Sequence, residues 1–154
     1  MGAKRVRNQM SDINLLAENE NLGGFREFLG FRVLEWEPGR VQASIPVAEH
    51  LLNRNGFVHG GVLTTLLDSA AGLSGTYCAL PGNIRRCSTI SLNTQFMSPA
   101  QEGVLRAEGV MLKRGSKIFF AEARVTLGDV LVATAQGSFR YVLGGDDENG
   151  VFAR

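Results

Sequence analysis

One short stretch of this chain gathers residues whose types and spacing could do chemistry. Residues 52–75 read LNRNGFVHGGVLTTLLDSAAGLSG: a polar loop with His59, a Gly60-Gly61 pair, then an apolar run holding a single acid, Asp68. Val62, Leu63, Leu66, Leu67, Ala70, Ala71 and Leu73 recur as in a helix covered by protein on most sides. A carboxylate in such a run is costly to bury without partners, which makes Asp68 a candidate for chemistry. At the start of the same helix the first backbone N–H groups have no acceptor within the helix and carry the positive end of its dipole. Gly60 and Gly61 have no side chain to block them, and no Ser, Thr, Asp or Asn stands directly before Gly60 as an ordinary cap. Donors of this kind suit an anion or a developing oxyanion. The glycine pair also fits a tight turn into the helix with His59 as a local cap.

His59 and Asp68 are nine residues apart, about 13.5 Å of rise and about half a turn on a helix. Their side chains then point to opposite faces and cannot line one small pocket in one subunit. If both serve one reaction, one of them comes from a neighbouring chain. A two-fold dimer with paired helices would hold two identical sites. Asp68 could instead cap or pair within a dimer interface.

The remaining elements must position this helix. A chain of 154 residues is long enough for one domain with a core. Hydrophobic residues make up 44% and charged residues 20%, ordinary for a globular protein. The net charge of +1 gives no bulk field favouring nucleic acid or a membrane. Cys78 and Cys87 are too few, and wrongly spaced, for a zinc site or a disulfide framework, and read as the reduced thiols of a cytoplasmic protein. No signal peptide or membrane-spanning run is visible. Residues 1–10 read as a flexible basic start, 11–143 as a single domain and 144–154 as a flexible polar tail. The pattern predicts an amphipathic helix over residues 11–21, with Ile13, Leu15 and Leu16 apolar and Ser11 or Asp12 as cap. Residues 22–30 add a short turn of helix bearing Phe25, Phe28 and Leu29. Residues 31–37 and 40–46 alternate across Pro38-Gly39 as a hairpin, and 47–52 form a connector. After a Pro81-Gly82-Asn83 turn the chain is all strand: 84–97, with Ile90, Leu92, Thr94 and Phe96 on one parity, then 104–113, 118–127 and 130–143. One long helix against one antiparallel sheet is an α+β architecture.

The motif Asn53-Arg54-Asn55-Gly56-Phe57-Val58-His59-Gly60-Gly61, followed by Asp68, resembles the hotdog-fold acyl-CoA thioesterases. Within them it is similar to the phenylacetate-pathway type, which includes the human thioesterase superfamily member 2 type. The later stretches Ser88-Thr89-Ile90-Ser91-Leu92-Asn93-Thr94-Gln95-Phe96-Met97-Ser98-Pro99-Ala100, Leu112-Lys113-Arg114-Gly115-Ser116-Lys117 and Leu131-Val132-Ala133-Thr134-Ala135-Gln136-Gly137 match as well. The resemblance spans about residues 30–143. It implies a hotdog fold, one long central helix wrapped by a six-stranded antiparallel sheet, and hydrolysis of an acyl-CoA thioester to free acid and coenzyme A. The Gly60 N–H would polarise the thioester carbonyl, and Asn53 and His59 would help place it. Asp68 of the partner subunit would activate water or attack directly, with the hydroxyl of Thr89 holding that water. Gly61, Asn55 and Ser88 border these positions; Asn55 is a second asparagine in the motif, and Ser88 an alternative hydroxyl. Arg114 and Lys117 could meet the phosphates of coenzyme A, with Lys113, Arg85 and Arg86 as further candidates. No metal or separate cofactor is implied, coenzyme A being part of the substrate. The implied assembly is a homodimer at least, built further into a dimer of dimers, with neither nucleic acid nor membrane as partner.

The chemistry agrees with the residues. Thioester hydrolysis builds negative charge on the carbonyl oxygen, which preorganised N–H donors hold, and a lone acid can serve as base or nucleophile. A Gly-x-Ser-x-Gly nucleophile motif is absent from the sequence. Phe57, Phe96 and Met97 read as core. Two other readings stay open: a hotdog hydratase or dehydratase acting on an acyl thioester, and a non-enzymatic acyl-CoA binding module. Aryl, short and medium acyl groups are all compatible with the sequence.

Overall fold

A computed structural model describes residues 13–153. Residues 13–20 are helical (α1), followed by α2 (Gly24–Phe28). The hairpin predicted across Pro38-Gly39 is present as β1 (Arg32–Glu37) and β2 (Arg40–Pro46), with Gly39 at φ 80° in the turn. A 3₁₀ turn (Glu49–Leu51) leads to the long helix α3 (Gly60–Ser74). Then come β3 (Asn83–Ile84), β4 (Arg86–Phe96), β5 (Val104–Arg114), β6 (Ile118–Leu127), β7 (Val130–Val142) and β8 (Val151–Phe152). Six strands form one antiparallel sheet in the order β1-β2-β5-β6-β7-β4. The sheet curls around α3, which packs against β2, β4, β5, β6 and β7. This is the hotdog arrangement that the resemblance implied, and the α+β architecture read from the pattern of the sequence.

The helix supplies Leu66, Leu67, Ala70 and Ala71 to the core, all fully buried, against Phe119, Phe139, Val125 and Leu105 from the strands. Small residues let the layers approach. A Cβ on Gly109 of β5 would stand 2.1 Å from the Ala70 carbonyl oxygen, so only glycine fits beneath the middle of α3. The helix ends at Gly75, where a Cβ would strike the Phe119 ring at 2.2 Å.

Several expectations are corrected. On α1 the buried residue is Asn14, whose amide donates to the Cys78 carbonyl, while Ile13 and Leu16 are exposed. The basic stretch 1–10 and the proposed caps Ser11 and Asp12 lie outside the described residues. On α2, Phe25 and Phe28 face out and only Leu29, just past its end, is buried. The strand expected over 84–97 is interrupted at Arg85. Its first residue, Ile84, together with Asn83 of the expected turn, pairs instead with β8, in the stretch 144–154 expected as a loose tail.

Strand β4 is an edge of the sheet, and Ile90, Phe96 and Met97 at or beside it are each more than half exposed. Phe96 and Met97 are therefore not core, because no element among the described residues covers them. The pairing of β4 with β7 shifts register between Thr89 and Ser91. This β-bulge moves Ile90 out of the expected parity and re-phases the strand. Before it, Cys87 and Thr89 face α3; after it, Leu92, Thr94 and Phe96 do.

Candidate active site

The loop before α3 is built around Asn53. Its side-chain Oδ1 accepts from the N–H groups of Asn55 (2.9 Å) and Phe57 (3.2 Å). Its backbone N–H donates to the Phe57 carbonyl, and its carbonyl accepts from Gly56, which sits at φ 78° where a side chain would be strained. The acceptor half of the Asn53 amide is thus consumed by the loop. Asn55 is exposed and contributes its N–H to the same turn. Two backbone bonds pin the end of the loop: Val58 N–H to the Ala100 carbonyl (2.7 Å) and His59 N–H to the Leu51 carbonyl (2.8 Å).

His59 is the N-cap of α3, and its Nδ1 accepts from the Gly61 N–H at 2.9 Å. The cap expected to be missing is therefore an imidazole. Accepting at Nδ1 fixes a neutral ring with its proton on Nε2, so Nε2–H remains a donor. The Gly61 N–H is occupied by this bond. The Gly60 N–H, the first of α3, takes no acceptor among the described residues, while Val62 and Leu63 donate to the His59 carbonyl. Gly60 borders a hollow of about 310 Å³ with Val58, Leu63, Phe96, Met97 and Ala100.

Asp68 stands two turns along the helix, on another face. It is half-buried, and its Oδ1 accepts from the Thr89 hydroxyl at 2.7 Å. Ser88 alternates to the opposite face of β4 and cannot supply that hydroxyl. Asp68 and Thr89 line a cavity of about 500 Å³ between α3, β4 and α1, with Trp36, Leu73, Cys87 and Arg85 among its other walls. Burial, and after it the Asp68 charge, push the Cys87 thiol up to about 12, with Arg85 opposing. Trp36 is fixed by its indole N–H on the Leu73 carbonyl at 2.8 Å. Cys87 and Trp36 escaped the sequence reading, although Cys87, two residues from Thr89 in a strand, shares its face.

Among the described residues, Gly60 and Asp68 border two different cavities. The expected residues occupy three places: the helix start, the acid with its threonine, and a third around Arg114 and Lys117. In that third place both cations are already engaged. Arg114 pairs with Glu148 and donates to the Asp146 carbonyl, and Lys117 Nζ lies 2.7 Å from Asp146 Oδ2. Lys117 holds the Asp146 carboxyl below its usual range, chiefly through that hydrogen bond. Another hollow, of about 470 Å³, lies on the outer face of the sheet among Asn93, Glu108, Glu122 and Arg124. Its lining residues all come from strands, and none from α3. Among the described residues no group of three His, Cys, Asp or Glu could hold a metal ion, and no helix is long and apolar enough to cross a membrane.

Comparison with known proteins bears on this geometry. Residues 55–134 match the family model described as the thioesterase superfamily. A Halobacterium salinarum protein, provisionally named an esterase, is 37% identical over 128 residues, covering 76% of this chain and 83% of its own. A conserved protein of Pseudomonas aeruginosa superposes with a TM-score of 0.71 at 30% identity, covering 78% of this chain and 94% of that one. A variant of the phenylacetic acid degradation protein PaaI of Thermus thermophilus superposes with a TM-score of 0.66 at 26% identity, covering 77% and 98%. The family match runs from Asn55 in the helix-start loop through Asp68, Thr89, β4, β5 and β6 into the start of β7, and the chain belongs to the thioesterase superfamily.

Proposed function

We propose that this protein hydrolyses acyl-CoA thioesters at sites shared between two copies of the chain. The observation that carries the reading is the Asp68 carboxylate, held through one oxygen by Thr89 and lining a cavity large enough for an acyl group. The Gly60 N–H supplies the complementary feature, a helix-start donor without an internal acceptor. In one subunit the two lie on different faces, so the acid acting on a carbonyl held at Gly60 belongs to the second copy. The open edge of β4, with Ile90, Phe96 and Met97 exposed, supports a second copy covering this side. We extend the assembly to a dimer of dimers, and we place it in the cytoplasm because both cysteines are free thiols, as a reducing compartment keeps them.

In this reading the thioester oxygen sits against the Gly60 N–H, with His59 Nε2–H as second donor. Water attacks the carbonyl carbon and gives its proton to Asp68. The tetrahedral oxyanion is held at Gly60, the C–S bond breaks, and the departing thiolate takes up a proton as free coenzyme A. Direct attack by Asp68 would give a mixed anhydride that water then cleaves. Coenzyme A phosphates would have to compete with Asp146 and Glu148 for Lys117 and Arg114, whereas Arg86 is exposed at the rim of the Asp68 cavity. The test is release of free thiol from acyl-CoA by wild type and by Asp68→Asn. Loss of about 10²-fold or more with an intact fold is expected. Water addition to an enoyl-CoA without thiol release would mark a hydratase instead.

A further inference from the structure

Ala153 stands in the wall of the cavity that Asp68 lines, at the end of a segment, 144–153, that is tied down along its length. After β7 the chain reverses at Leu143 and Gly144, both at positive φ, and the Gly145 N–H donates back to the Val142 carbonyl. The segment is then fastened to both sides of the cavity wall. Arg85 Nε donates to the Gly145 carbonyl at 2.8 Å while its Nη1 holds the Tyr77 carbonyl at 2.9 Å. Asn83 Nδ2 donates to the Asn149 carbonyl at 2.8 Å, and the Cys78 thiol approaches the same oxygen at 3.3 Å. Strand β8 pairs with β3, and the Ala153 N–H donates to the Gly82 carbonyl. On the outside, Asp146 and Glu148 engage Lys117 and Arg114. The result is that Ala153, with Gly82, Asn83 and Ile84 of the strand it stabilises, stands in the wall of the same cavity as Asp68 and Thr89.

We propose that this segment is an end-stop that sets the longest acyl group the enzyme accepts. The inference rests on reading the Asp68 cavity as the acyl site. An acyl carbon attacked at Asp68 leaves the remainder of the group pointing along Leu73, Trp36 and Ile84, and a chain that reaches Ala153 can go no further. The end-stop is set by backbone pairing and by Arg85, which also stacks on Tyr141 at 5.0 Å, more than by the outer ion pairs, which are exposed on at least one side. The substrate class is therefore short to medium or compact acyl groups, with extended long chains excluded by the segment itself.

The test compares kcat/KM over a series of straight-chain acyl-CoAs, from acetyl to palmitoyl, and phenylacetyl-CoA. Ala153→Phe should lower the ratio of longest accepted to shortest substrate by about tenfold or more. Deleting residues 145–154 should raise turnover of chains beyond the wild-type limit by a similar factor. If the deletion variant does not fold, Ala153→Phe alone decides. A folded Ala153→Phe enzyme with the wild-type profile overturns the end-stop. Asp68→Asn in the same series keeps the two readings apart: its inactivity beside an unchanged Ala153→Phe profile removes the end-stop and leaves the hydrolase, while its full activity removes the Asp68 site on which both rest.

Discussion

Replacing Gly60 by proline is the most direct probe of the helix start, because it takes away the backbone N–H, which no side-chain substitution can do. The Gly60 N–H has no internal acceptor, so its removal breaks no hydrogen bond of the fold. Gly60 is the first residue of α3, where proline is favoured. His59 before it has φ −62° and ψ 136°, within the extended region that a following proline requires. A Cβ at position 60 would meet the Phe96 ring at 3.5 Å, an ordinary contact. Stability should hold or rise by about 0.4–1 kcal/mol through the stiffer unfolded chain, a melting shift of about 1–4 °C upward. Loss of one oxyanion donor costs about 10² to 10³ in turnover, or about 2.7–4 kcal/mol of barrier. Gly60→Ala adds the carbon but keeps the N–H and should lie between wild type and Gly60→Pro. Thiol release from a good acyl-CoA substrate, with thermal melting and sizing on the same samples, gives both quantities. A folded Gly60→Pro enzyme with wild-type turnover would refute the assignment and move the oxyanion to His59 Nε2–H or the Asn53 amide.

Mixing inactive His59→Ala and Asp68→Ala proteins under conditions that exchange subunits should restore activity to about a quarter of wild type. Half of randomly paired dimers are mixed, and each mixed dimer holds one intact site of two; exchange verified by mass spectrometry without recovered activity would place both residues in one chain's site. The Cys87 thiol, with its pKa raised to about 12 by burial and then by Asp68, stays protonated at pH 7–9 and gains thiolate only as pH approaches that value. Peptide mapping after iodoacetamide should find Cys87 unmodified at pH 8, and faster alkylation in Asp68→Asn; rapid labelling of the native wild type would contradict the burial. Gly109→Ala should destabilise by about 1–3 kcal/mol, since its methyl would lie 2.1 Å from the Ala70 carbonyl oxygen, and an unchanged melting temperature would contradict that packing.

What could be read in the sequence follows from how local each signal is. The β1–β2 hairpin and the start of α3 at Gly60 were legible because glycines and alternating residues act within a few positions. The acid, the histidine and their separation on the helix were legible for the same reason. Thr89 was placed by resemblance, and its bond to Asp68 supports that position. Less was legible where apolar residues face outward. Phe25, Phe28, Phe96 and Met97 look like core in a sequence, because hydrophobicity does not tell a packed core from a face left uncovered in one chain. The fold of residues 144–153 was hidden because β8 is two residues long and its fastenings come from Arg85, Asn83, Arg114 and Lys117, distant in sequence. Those same contacts redirect Arg114 and Lys117, which local charge suggested as phosphate ligands. The capping role of His59 was weighed among the alternatives but needed the ring's orientation to be assigned.

The bulge at Ile90 means that this edge strand carries two stations that are in phase only by one surplus residue. Thr89 serves the acid and Phe96 flanks the helix start, seven positions on, an odd interval that strict alternation would send to opposite faces. A strand of the same length that lost the bulge would leave each station's chemistry intact yet turn one of them away from α3. Sequence drift here is consequently constrained by counting as much as by residue type. Loss of the surplus residue together with the bulge restores an even interval and keeps both stations facing α3, whereas a one-residue change elsewhere between them with the bulge kept turns one away. Grafting this strand into a relative therefore demands that the bulge travel with it.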